Sequence, residues 1–351
     1  MPARRAALVA FVAMSAAGCT RGDEEPPPPR EFSELQVTVD LDAVAPGGVD
    51  VVGLEPTDDG ALVLLADTAD PAVGHLAPLT ADGLGEVRRI DGVGTELLVT
   101  PDGTALVVGP DRITSLPADG DPTVTEVVLE ELAAAALSPD GRRLYAATAD
   151  RLVGLDPRTG ETTAETDLGE GLTVAALEAG PDGPVALLSD ARAPDLADVA
   201  VLGTWDEDLR EPELVELAPD RPASIPSALR LADDGTAVAT LTAGSGDDPF
   251  RVVVVKDGEV TASHAVPGTD RTPADLAVSP DGRVAYLPVA GFEVESGVIT
   301  LDLAGGEQLA DARLCEGQAT FGRVALSGDR LTVIGSCISS EAASTTAFVV
   351  R

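Results

Sequence analysis

The chain has 351 residues, 44% of them hydrophobic but only 3% aromatic, and it carries a formal charge of −37 with a pI near 4.1. Sixty acids against 23 bases repel phosphate backbones and anionic headgroups, which excludes nucleic acid as a partner and leaves no electrostatic hold on a membrane. With so few rings the core must be built from Val, Leu and Ala, and the apolar runs are short, Val-rich and punctuated by Gly, Pro and Asp, which indicates strands.

Residues 1–19 read MPARRAALVAFVAMSAAGC. Arg4 and Arg5 form a basic start, Ala6 to Ala13 an apolar stretch, and small residues lead to Cys19. The apolar stretch is far shorter than the ~20 residues that cross a bilayer, so it reads as a signal peptide over 1–18. Its Gly18-Cys19 end resembles the lipobox of bacterial lipoproteins, and the resemblance implies that Cys19 is acylated and becomes the mature N-terminus. An ordinary secretory signal is the other reading of the same residues. Cleavage removes two arginines and no acid, taking the charge from −37 to −39. The resemblance also implies a chain held in the cell envelope by its lipid alone, and Thr20, rather than Asp, after the cysteine fits the outer membrane.

Residues 19–32 then form a polar linker containing four consecutive prolines, which favour extended, solvated chain. The strand candidate SELQVTVDLD (33–42) follows, with Leu35, Val37, Val39 and Leu41 alternating.

Over 54–335 one pattern recurs seven times: a hydrophobic run, a tight turn of the Pro-Asp-Gly kind, and a second hydrophobic run. The copies are LEPTDDGALVLLA (54–66), LVTPDGTALVV (98–108), LSPDGRRLYAAT (137–148), AGPDGPVALLS (179–189), LADDGTAVATL (231–241), VSPDGRVAYLPV (278–289) and ALSGDRLTVIG (325–335). In this turn Pro sets the first corner, Asp bonds locally and Gly takes the positive φ, so the flanking runs pair as a hairpin. The turns recur about every 45 residues, the length of a four-stranded propeller blade.

Two more strand candidates complete a unit. They are 151–156 and 161–169 in the third copy, 250–256 and 259–266 in the fifth, 296–302 and 307–314 in the sixth. The seventh copy supplies three strands, 323–327, 330–336 and 345–350, and the alternating segment 33–42 is available to supply the fourth. The expectation is an all-β fold: a seven-bladed β-propeller of four-stranded antiparallel blades over 33–351, its ring closed by an N-terminal strand that completes the last blade. The repeat resembles the YVTN and WD40-like (PD40) propeller repeats of bacterial proteins. That likeness implies the fold and little about activity, since propellers host many functions.

Cys315 and Cys337 remain once Cys19 is set aside. In an exported chain they are a candidate disulfide, with two buried thiols as the alternative.

Catalytic motifs are missing. His75 and His264 fall in third or fourth strands, far from the axis, and read as blade residues; Trp205 reads as an edge residue at the rim of the fourth blade. The loops at the mouth of the ring are rich in acids: Asp67, Asp70, Asp150, Asp190, Asp247, Asp248, Glu293 and Glu295 between second and third strands, Asp270 and Glu316 between blades. Carboxylates converging there could bind Ca²⁺ or could simply be solvated. The expected function is a membrane-anchored, exported binding or scaffold module, a monomer that takes an envelope protein or small ligand at its mouth and needs no cofactor. The alternative is a metal-dependent, lactonase-like hydrolase using the mouth carboxylates, so enzymatic activity stays open.

Overall fold

The computed structural model describes residues 30–191, 198–221, 223–243, 249–290, 296–338 and 344–351. Seven antiparallel sheets follow one another along the chain, in the order inner, second, third and outer strand. The inner strands are Val49–Thr57, Glu96–Val99, Ala134–Leu137, Leu172–Gly180, Ser224–Leu231, Ala277–Val278 and Ala319–Ser327. Six sheets have four strands, and that of blade 1 has five. The fifth arises because the outer strand of blade 1 is in two pieces, Gly83–Leu84 and Arg88–Asp91, both paired with the third strand Val73–Thr80. Pro78 lies in that third strand opposite the gap and has no N–H to offer.

The last blade closes as the sequence requires. Its order is Leu35–Asp40, Thr346–Val350, Arg330–Cys337, Ala319–Ser327, so the N-terminal strand is its outer strand. The register places Leu35 opposite Val350 and Asp40 opposite Thr346. Leu41 is fully buried just beyond, in the seam between blades 7 and 1.

The Pro-Asp-Gly turn follows its expected mechanism in four blades. Gly103, Gly141, Gly235 and Gly282 have φ of 81°, 69°, 81° and 68°, the left-handed region that glycine enters without cost from a Cβ. In blade 3 the Asp140 carboxylate accepts from Ser138 Oγ at 2.8 Å and from the Arg142 N–H at 3.1 Å, tying the turn to itself. Blades 1 and 4 differ: pairing runs on to Thr57–Gly60 and Gly180–Gly183, so the corner is Asp58-Asp59 or Pro181-Asp182 and the glycine opens the second strand.

Burial follows the blade boundaries. The seven hydrophobic clusters each draw on two adjacent blades, one cluster per boundary around the ring. A single blade therefore has two apolar faces that only its neighbours can cover, which is why the units need each other. Leu, Val and Ala fill these boundaries, and the few rings gather where the ends meet. Phe32 packs on Tyr286 edge to face at 4.9 Å and Phe321 on Phe348 at 6.3 Å, all in the boundary between blades 6 and 7. Tyr286 also donates its hydroxyl to the Arg30 carbonyl at 3.2 Å. The folded body thus takes in Phe32. Trp205 departs from the expected rim position: it is buried between blades 3 and 4 with Tyr145, Leu188 and Leu209.

Cys315 and Cys337 are joined in a disulfide, with Cα atoms 5.5 Å apart. Cys315 ends the outer strand of blade 6 and Cys337 the second strand of blade 7, so the bond staples neighbouring blades at the closure.

Candidate functional site

The mouth loops hold most of the residues singled out by sequence. Asp67, Asp70, Asp150 and Asp190 lie at or between second and third strands, and Asp270 and Glu316 lie between blades. Cys19, Asp247, Asp248, Glu293 and Glu295 fall outside the described residues. Several of the acids are engaged within their own loops. Asp67 Oδ1 accepts from the Ala69 N–H at 2.8 Å, Asp70 Oδ1 from the Ala72 N–H at 3.3 Å, and Asp150 contacts Arg151 Nε at 3.4 Å. These are the contacts of carboxylates that shape turns. Among the described residues no three His, Cys, Asp or Glu side chains form a group that could hold a metal ion.

The histidines keep to the blades. His75 is on the third strand of blade 1, its Nε2 4.0 Å from Asp67 Oδ2, and His264 Nε2 meets the Leu303 carbonyl at 2.9 Å on the outer strand of blade 5.

A charged belt lies elsewhere, on the inner strands around the axis. All seven inner strand regions line a central channel with a cavity of about 380 Å³. Six charged side chains project from its wall: Glu55, Glu96, Glu178, Arg230, Asp275 and Arg323, from blades 1, 2, 4, 5, 6 and 7. Blade 3 contributes Ala134 and Ala136. The positions follow the repeat. Glu55, Glu178 and Arg230 stand five residues before Gly60, Gly183 and Gly235, while Glu96 and Asp275 stand seven before Gly103 and Gly282. Side chains two residues apart on a strand share a face, so the two offsets place charges at two successive levels along the channel.

One side of the belt is a chain of ion pairs. Arg230 Nη1 reaches back to Glu178 Oε1 at 2.7 Å and Nη2 reaches forward to Asp275 Oδ1 at 2.9 Å, joining blades 4, 5 and 6. Asp275 is 3% exposed; its Oδ1 accepts from the Leu276 N–H at 2.9 Å and its Oδ2 from the Val324 N–H at 2.9 Å, which adds blade 7. Arg323 then donates to the Val52 carbonyl of blade 1 at 3.0 Å. The belt therefore crosses most of the boundaries that the apolar clusters fill further out.

The other side of the belt is unlike this. Glu55 and Glu96 are half-buried and open to the channel. Burial is the main reason that the Glu55 carboxyl is pushed up to about 8, partly offset by Arg230 and reinforced by Glu178, Asp275 and Glu96. The same desolvation raises Glu96 to about 7, opposed by Arg323 and Arg230. Glu178 is also raised by burial, though Arg230 counteracts this by charge and by hydrogen bond. Burial would lower the Arg230 pKa, but Asp275, Glu178 and Glu55 outweigh it and hold the guanidinium charged.

Sequence reasoning placed the candidate site on loops, where acids are abundant. The available signal was different: charges at fixed offsets from the turn glycines, inside otherwise apolar inner strands.

No protein-family model matches the chain, and no curated protein matches it in sequence. Among solved structures 1116 chains match. One is a chain of hydrazine synthase from Kuenenia stuttgartiensis, with a TM-score of 0.61 and 17% identity over 85% of this chain and 94% of that one. At that identity the likeness is one of fold, and the chain is a seven-bladed β-propeller with a charged axial channel.

Proposed function

We propose that this protein is an exported β-propeller, anchored to the bacterial cell envelope through a lipid on Cys19, that works as a binding module whose ligand enters the axial channel. The observation that carries the binding role is the channel itself. It joins a cavity of about 380 Å³ to carboxyl groups whose burial costs are not met by hydrogen bonds, the pattern of a small-molecule site. The anchor rests on the basic, apolar and small-residue segments that lead to Gly18-Cys19 and on the prolines that follow.

The fold supports a geometry for such an anchor. Leu35 pairs with Val350, at the end of the chain's last strand, so the N-terminal strand starts on the face that bears the Pro-Asp-Gly turns. A linker arriving there leaves the mouth loops on the side away from the membrane. Acyl chains then supply the attachment, about 0.8 kcal/mol per buried CH₂, against a repelling protein charge.

In-cell crosslinking followed by recovery from envelope fractions tests the reading, with wild type compared with Cys19→Ser. The expected result is envelope recovery of the wild type with a specific partner or ligand, and release of Cys19→Ser from the membrane. Equal recovery of both forms in the soluble fraction, or turnover of an ester or lactone by the purified chain, would overturn it.

A further inference from the structure

The charge balance of the channel specifies its ligand further, and this step rests on reading the protein as a binding module. Both guanidiniums in the belt already have partners: Arg230 is held by Glu178 and Asp275, and Arg323 by the Val52 carbonyl. Glu55 and Glu96 do not. No described residue hydrogen-bonds to either carboxyl, both are half-buried, and both line the cavity. An empty channel is closest to neutral when these two carboxyls keep their protons. If both ionise, two negative charges are left uncompensated among Glu55, Glu96, Glu178, Asp275, Arg230 and Arg323.

We propose that the channel binds a small aliphatic ammonium compound, with its cationic group or groups on Glu55 and Glu96 and its hydrocarbon part along the alanine wall of blade 3. The lining groups that no described residue hydrogen-bonds are the two carboxyls, while Arg323 beside Glu96 already gives one N–H to the Val52 carbonyl. Ionising both carboxyls leaves the belt net negative, which favours a cation over an anion. Blade 3 lines the same cavity with residues 133–137, four alanines and a leucine, and brings no charge, which leaves that stretch of wall apolar for an alkyl chain. A bare metal ion suits the site less, since no three metal-ligating side chains gather there among the described residues. On binding, each carboxyl that meets the cation releases its proton to solvent, and a charge-assisted N–H···O contact forms at a group that no described residue hydrogen-bonds.

Isothermal titration calorimetry on the detergent-solubilised full chain tests this, using three probes of one length: 1,4-diaminobutane, butane-1,4-diol and succinate. Ca²⁺ is a fourth probe, and moderate salt screens the acidic surface. The expected result is that only the diamine binds. Its affinity should rise up to about tenfold per pH unit for each proton displaced, and buffers of different ionisation enthalpy should report that proton release. Glu55→Gln and Glu96→Gln should each weaken binding about tenfold or more, as the loss of a charge-assisted contact implies, whereas Asp82→Asn, at an exposed turn between the third and outer strands of blade 1, should not.

Preference for succinate, Ca²⁺ uptake lost in the same two variants, or diamine binding untouched by them would each overturn the proposal. An envelope partner recovered equally with wild type and Glu55→Gln, without diamine binding, would remove the ammonium ligand and leave the binding module standing. Loss of both would remove both.

Discussion

Arg230 and Asp275 meet at 2.9 Å across the boundary between blades 5 and 6, with Asp275 almost fully buried and Arg230 partly reached from the channel. Because the same carboxylate also accepts from the Val324 N–H, one side chain holds three consecutive blades in register close to the axis. The apolar clusters that fill the boundaries are made of interchangeable Leu, Val and Ala. A directional charge network at the axis adds a specificity those contacts lack.

Asp275→Asn keeps the size and removes the charge. It should destabilise the protein by about 3 kcal/mol, since it leaves a partly buried guanidinium with only Glu178 opposite it. Urea denaturation reads this directly. A midpoint equal to wild type would mean that the ion pairs do not hold the blades together.

The buried carboxyls give stability a particular pH dependence. The Glu55 pKa in the folded protein is raised to about 8 from 4.5, so the folded state binds the proton more tightly than the unfolded chain. Its contribution is therefore fully present below pH 4.5 and is lost as pH rises through about 8; Glu96 behaves alike, up to about 7. Glu55→Gln removes the loss, so its melting temperature should exceed that of wild type by an amount that grows between pH 5 and pH 9. The repulsion of the acidic surface is common to both proteins and cancels in the difference. A gap that stays constant with pH would count against a buried, protonated Glu55.

The Cys315–Cys337 bond closes a loop of 22 positions. Replacing both cysteines with Ser should cost about 3 kcal/mol on the chain-entropy model and lower the melting temperature by about 5 °C for a chain of this size. Scanning calorimetry of wild type with and without reductant provides the comparison. A reduced protein that melts with the oxidised one would show that the staple adds nothing to the strand clasp beside it.

Leu41→Ala probes that clasp. Leu41 is fully buried between the last blade and the first, beyond the N-terminal strand, and its truncation should cost about 3 kcal/mol. Val128→Ala, at an exposed position, is the control and should change stability by less than about 0.5 kcal/mol. Equal effects of the two would argue that the seam is open in solution.

The sequence by itself determined the number of blades, the place of each hairpin turn and the use of residues 35–40 as the closing strand. These are local matters: a Pro-Asp-Gly turn needs its own few residues, strand alternation can be counted, and a missing fourth strand in the last unit has one unassigned segment to fill it. It also marked Cys315 and Cys337 as a possible pair, though only the fold brings the ends of their two blades together. Trp205 went the other way, because an aromatic near Asp206 and Asp208 reads as a rim residue until the neighbouring blade is there to cover it. The charged belt depended most on tertiary structure. Glu55 and Arg230 are unremarkable in their own segments, and their meaning comes from closing a ring that brings residues 175 positions apart around one narrow axis, where burial raises a carboxyl that no described residue hydrogen-bonds.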